Sequence, residues 1–255
     1  MIGWRPPCYR NSRFMQRCFF IILLLLTSAC VLPRERSWTI HELAEYRGET
    51  LRLEDSRGNE FTVRLNMMRE LTLAVQRLRE PIKHIVDVDA EVLIVEGEEP
   101  NAFAAFKDKK PVIAITRGML VMLGNDIDEY AALLSHEMSH WAWGHVESST
   151  QRSTIVWVMR EGLAYIPNPF IAVAASLGLQ AIDAMFSRDQ EREADDLSIE
   201  LLLLANYDAM AAVRLHQKLM DYGAPSDWSF LSSHPSGSER IARMRAKIAA
   251  SKIKK

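Results

Sequence analysis

The sequence predicts an α+β fold, a mainly helical domain with a small antiparallel sheet. Three observations predict it. Strand-like runs at 50–55, 60–65, 92–95, 101–106 and 112–116 crowd the first half of the body, bounded by turn formers. Helical spacing fills the second half. The residues after Cys30 include no cysteine, so this body needs an apolar core rather than a disulfide framework, and any metal must be held by His, Asp or Glu.

Taken in order, residues 30–49 are polar and read as a tether leading into a short helix, with the folded domain at 50–255. Residues 50–55 and 60–65 alternate in hydrophobicity around Ser56-Arg57-Gly58-Asn59, a hairpin pattern. Asn66 is expected to cap a helix to Arg79, with Met67, Leu71, Val75 and Leu78 at helical spacing and Pro81 as its stop. The runs at 101–106 and 112–116 are joined by a charged turn at 107–110. A short helix follows at 117–124. A longer one starts from Asp126 or Asp128 and runs to about His145. Residues 155–186 are mostly apolar, and 170–186 is short for a bilayer crossing and interrupted by Gln180 and Asp183. Helices at 189–204, 208–222 and 238–253 complete the chain.

The first 29 residues stand apart. They carry Arg5, Arg10, Arg13 and Arg17 and no acidic residue, leaving 27 basic against 33 acidic residues in the body, a net charge of −6. An acidic body argues against nucleic acid as a partner. Residues 18–29 form an apolar run behind arginines, the pattern of a signal peptide, and Leu26-Thr27-Ser28-Ala29-Cys30 is similar to a bacterial lipobox. On that reading residues 1–29 are removed and Cys30 carries the lipid. A plain signal peptide and an uncleaved anchor are the alternatives, and Met15 is a second possible start.

The chemistry is concentrated in His136-Glu137-Met138-Ser139-His140. On a helix, positions i and i+4 share a face, so two imidazoles converge on one cation while Glu137 stands beside them as a base. A catalytic zinc commonly takes three protein ligands. Trp143 and Val146 occupy the places where a metzincin has Gly and His, which excludes that class. His145 leaves the His136/His140 face and reads as a cation at a helix C-terminus. The better third ligand is Glu191. It shares a helical face with Asp195, which can hold a ligand histidine from behind, whereas Glu193 points elsewhere. His234 lies on a loop before Pro235. Arg240 opens the last helix, where it can meet an oxyanion or pair with Asp195 or Glu191.

These segments together resemble the HtpX and CAAX prenyl protease group of zinc metallopeptidases, metallopeptidase family forty-eight. The matching stretches are 101–116, 134–145, 187–195 and 233–241, in that order. The resemblance implies a zincin-like domain with one Zn2+ per chain, His136, His140 and Glu191 as ligands, and Glu137 as general base. It also implies Asp195 behind the ligands and His234 and Arg240 at the rim of the site. Asn101, Ala102 and Phe103 open a strand similar to the edge strand on which such enzymes lay an extended peptide. With the lipobox, the chain looks most like the LoiP-type periplasmic lipoprotein members, anchored to the membrane through the N-terminal lipid. Expected partners are polypeptide substrates, with either outer-membrane assembly machinery or other proteases as a further partner. Trp141 and Trp143 depart from the smaller residues common beside the motif.

Overall fold

A computed structural model describes residues 36–84, 86–107, 110–146, 180–181, 186–222, 230–234 and 237–253. The signal peptide expected at 1–29, Cys30 and nearly all of the apolar stretch at 155–186 lie outside the described residues. In chain order the elements are β1 (Ser37–Thr39), α1 (Ile40–Glu45), β2 (Thr50–Glu54), β3 (Glu60–Arg64), α2 (Leu65–Arg79), β4 (Glu91–Val95), β5 (Ala102–Lys107), β6 (Lys110–Thr116) and α3 (Arg117–Leu123). They continue as α4 (Ile127–Ala142), β7 (Gln180–Ala181), α5 (Arg188–Leu204), α6 (Met210–Tyr222), α7 (Phe230–Ser233) and α8 (Ser238–Ile253). No helix among the described residues is long and apolar enough to cross a membrane.

The tether expected at 30–49 is already structured in its second half. Ser37, Trp38 and Thr39 pair antiparallel with Val95, Ile94 and Leu93. Thr39 then caps α1 in a reciprocal capping box with Glu42, which buries Ile40 and Leu43. A three-residue strand is too short to show alternation, which is why the sequence pattern passes over it. Asn66 is not a cap either: α2 begins two residues earlier than such a cap would start it, from Arg64, and no side chain caps it. Leu65 is fully buried, so core packing fixes this start without a capping hydrogen bond.

The β2–β3 hairpin is set by Asp55, whose carboxylate accepts from the N–H groups of Arg57 and Asn59 and from the Asn59 side chain. The main sheet runs β1-β4-β6-β5-β7. It is mixed, not purely antiparallel as expected. The hairpin strand β5 folds back onto the far side of β6, so β6 lies parallel beside β4. The strand at 101–106 is also not the outermost one along its whole length. Ala105 and Phe106 pair with Ala181 and Gln180 of β7. Beyond Ala102, Phe103 and Ala104 no described strand is paired on that side.

Antiparallel pairing directs alternate residues to opposite neighbours. The Thr116 N–H donates to the Asn101 carbonyl, so the backbone groups of Ala102 and Ala104 face away from β6. Their side chains join the main core with α2, α4, α5 and α6, while those of Phe103 and Ala105 join a smaller apolar cluster on the other face. Trp141 ties α4 to this strand by edge-on packing against Phe106 at 4.7 Å, whereas Trp143 is exposed.

Candidate metal centre

Two helices supply the site. Asp126 caps α4 by accepting from the Glu129 N–H, and the helix buries every residue from Glu129 to Trp141. Ser187 caps α5 in a capping box with Gln190, which places Glu191 in the first turn and Asp195 one turn later. The helices pack together, bringing His136 and His140 against Glu191.

The donor atoms cluster tightly. His136 Nε2 and His140 Nε2 are 3.2 Å apart, His136 Nε2 and Glu191 Oε2 3.5 Å, and His140 Nε2 and Glu191 Oε1 3.4 Å. A tetrahedral ion with ligands at about 2.0–2.1 Å demands donor spacings of about 3.3 Å. The spacing and the His/His/Glu chemistry therefore fit zinc. His234 joins the same cluster, its Nδ1 lying 2.9 Å from Glu191 Oε1 and 3.3 Å from His136 Nε2. It is placed by α7: the His234 N–H donates to the Phe230 carbonyl, and the two rings stack at 4.4 Å. The Phe230 N–H donates in turn to Pro100, at the entrance to β5.

Glu137 is fully buried, and neither carboxylate oxygen has a hydrogen-bond partner of normal geometry among the described residues. His234 Nε2 stands 3.4 Å from Oε1. Burial pushes the Glu137 carboxyl above its usual range, partly offset by His234, His136 and the Ala104 backbone. A buried carboxyl with open lone pairs beside a cation site is the arrangement a general base needs.

Behind the donors, Asp195 Oδ1 lies 3.3 Å from His136 Nδ1. Arg240 grips Asp195 with two hydrogen bonds, Nε to Oδ2 at 2.8 Å and Nη2 to Oδ1 at 2.7 Å, and reaches Glu191 Oε2 with Nη1 at 2.6 Å. Of its two sequence readings, this geometry is the ion pair. Burial opposes charge on both carboxylates, but it is outweighed. His136 and Arg240 hold Asp195 well below the ordinary range, and His234, His136 and His140 do the same for Glu191. Burial also opposes charge on His136, yet Asp195 and Glu191 raise it to about 9. Burial drives His140 well below its usual value. Burial and the Arg240 charge take His216, which lies beside Arg240, down to about 3.

Two residues set aside in the sequence reach the site from outside. His145 Nδ1 lies 3.1 Å from His140 Nδ1, and His145 Nε2 lies 3.0 Å from Glu193 Oε2. Phe186 stacks on His140 at 3.8 Å. The signal for His145 is Gly144, whose φ of 66° turns the chain back after α4 ends at Ala142.

The model of peptidase family M48 matches residues 68–248, which contain every donor named above. The chain belongs to peptidase family M48. Among its relatives, metalloprotease LoiP of Escherichia coli is 28% identical over 162 residues, 62% of each chain. Metalloprotease YcaL of the same organism is 27% identical over 144 residues, 55% of this chain and 56% of its own. The mitochondrial metalloendopeptidase OMA1 of Arabidopsis thaliana is 29% identical over 157 residues, 62% of this chain and 31% of its own. The chain thus spans from about a third to under two thirds of the length of these relatives.

Proposed function

We propose that this chain is a zinc-dependent endopeptidase that hydrolyses peptide bonds of unfolded or misassembled polypeptides at the cell envelope. The observation that carries the reading is Glu137, buried and open beside three donors spaced for zinc. A structural zinc site has no use for such a base. Zinc, when bound by His136, His140 and Glu191, supplies Lewis-acid polarisation and acidifies water. Glu137 takes the proton from the attacking water and returns it to the leaving amine. The outward backbone groups of Ala102 and the outward carbonyl of Ala104 offer hydrogen bonds to an extended substrate, so recognition rests on main chain and is tolerant of sequence. Glu137→Gln is expected to keep zinc and lose about 10²–10⁴-fold in casein hydrolysis. Wild-type turnover in that variant would remove the mechanism.

Location belongs to the same proposal. The lipobox at 26–30 supports a signal peptide at 1–29 and a lipid on Cys30, with the domain at the periplasmic face of the outer membrane. One relative, of Escherichia coli, is named a beta-barrel assembly-enhancing protease, which supports a role at the envelope. Mass spectrometry of the mature N-terminus checks the lipid. Envelope proteomics of wild type against Glu137→Gln names the substrates by accumulation.

His234 favours a second reading, because it stands where a fourth donor would close the site. Displaced by substrate, it is a latch. Held in place permanently, it makes zinc a staple and the chain a non-catalytic assembly factor for outer-membrane proteins. His234→Ala raises turnover if the latch exists. Turnover unchanged or lowered rules the latch out, and absence of cleavage in every form supports the staple.

A further inference from the structure

The two motif imidazoles are backed by different chemistry. Behind His136 stands a carboxylate, Asp195, itself held by Arg240. Behind His140 stands a second imidazole, His145, and behind that a carboxylate on the surface of α5, Glu193. The two carboxylates differ in setting: the Glu193 side chain is 55% exposed and that of Asp195 3%.

Donor and acceptor roles along this second line are fixed by chemistry. A neutral histidine that offers its Nε2 lone pair to a cation carries its hydrogen on Nδ1. His140 Nδ1 is then a donor, and His145 Nδ1 at 3.1 Å must accept. His145 therefore carries its own hydrogen on Nε2, and that nitrogen donates to Glu193 Oε2 at 3.0 Å. Any other assignment sets two N–H groups or two lone pairs against each other at one of the two contacts.

We propose that His145 and Glu193 form a positioning relay that selects the tautomer and fixes the ring of His140 for metal binding. The relay rests on the reading of His140 as a metal ligand. The backbone is shaped for it. A continued helix would carry His145 off the His136/His140 face, but the left-handed Gly144 returns its ring to His140. Phe186 stacks on the His140 ring with an interplanar angle of 21°, so the imidazole is confined by packing as well as by its hydrogen bond. Helix α5 thus serves the site at three alternate positions: Glu191 among the donors, Asp195 behind His136, and Glu193 behind His140 through His145.

The test measures zinc affinity of the full chain by chelator competition, with the Co2+ d–d spectrum reporting ligand geometry. His145→Ala lowers zinc affinity about 10–100-fold and alters the cobalt spectrum. His145→Gln, which can still accept from His140, restores part of the loss. Glu193→Gln keeps an acceptor for His145 and loses less than Glu193→Ala. The exposed Glu193 side chain can be removed without opening the core, so this pair reads the relay even if His145→Ala does not fold. His140→Ala separates the two layers. If it binds zinc as wild type does, the reading of His140 as a ligand fails. If it loses zinc while His145→Ala and Glu193→Ala keep wild-type affinity and cobalt spectrum, the relay is overturned and the metal site stands.

Discussion

Arg240 is the charge on which the buried carboxylates depend, and its removal gives a sharp forecast. Arg240 is 7% exposed, and its guanidinium bonds Asp195 twice while contacting Glu191. Arg240→Met keeps most of the apolar stem and deletes the charge. Breaking a buried ion pair from one side leaves an uncompensated charge, at about 3–5 kcal/mol. Here two carboxylates are exposed to that loss, but His136 shares in neutralising both, so the same range is the expectation for the metal-free chain. At about 2–4 °C per kcal/mol for a domain of this size, the melting temperature falls by roughly 6–20 °C. Zinc brings its own positive charge to Glu191, so the loss in zinc-loaded protein is smaller. Urea unfolding of wild type and Arg240→Met, with zinc and with chelator, measures both numbers. A half-exposed pair such as Arg192 with Glu239 serves as control, and Arg192→Met costs no more than about 1 kcal/mol. If the chelated Arg240→Met protein lay within about 1 kcal/mol of wild type, the account of Arg240 as the clamp on Asp195 and Glu191 would fall.

Other outcomes follow from the same contacts. Ser187→Ala removes the cap of α5 and should cost about 1 kcal/mol in thermal unfolding, with a matching loss of zinc affinity if the cap places Glu191. Gly118→Ala sets a Cβ 2.1 Å from the Glu98 carbonyl oxygen, a backbone atom, so it should destabilise by about 1–3 kcal/mol in urea and shift the start of α3. An unchanged midpoint would mean the Gly97–Glu99 turn can yield. Asp55 is held below the ordinary aspartate range, chiefly by the Asn59 side chain. Its contribution to hairpin stability is therefore fully present above the ordinary value and lost as pH falls through the lowered one. An NMR titration of Asp55 in Asn59→Ala should move back towards the ordinary value.

Much of the site was legible because helical periodicity is a reliable ruler. His136 and His140, then Glu191 and Asp195, are i and i+4 pairs, and the two helices needed only to pack. The hairpin at Gly58 and the strands β4 to β6 were legible from alternation and turn formers. What was missed depended on places where the chain leaves a repeating conformation. His145 is off the ligand face of an ideal helix, and one left-handed glycine puts it back. Glu193 lies on the wrong side of α5 for the metal and on the right side for His145. The parallel β4–β6 pair follows from where β5 lands, a long-range choice that no local window contains. For Arg240 the residue was evident and its partner was not, since an arginine in a first helical turn meets anions of several kinds equally well.

The early start of the fold has a bearing on reach. Because β1 begins at Ser37 and is stitched to β4, only seven residues, and not the twenty of a 30–49 tether, would link the fold to the lipid proposed on Cys30. Fully extended, this link spans at most about 25 Å. If the proposed lipid is confirmed, so short a link would make the chain a membrane-skimming protease, limited to polypeptides within its reach of the bilayer.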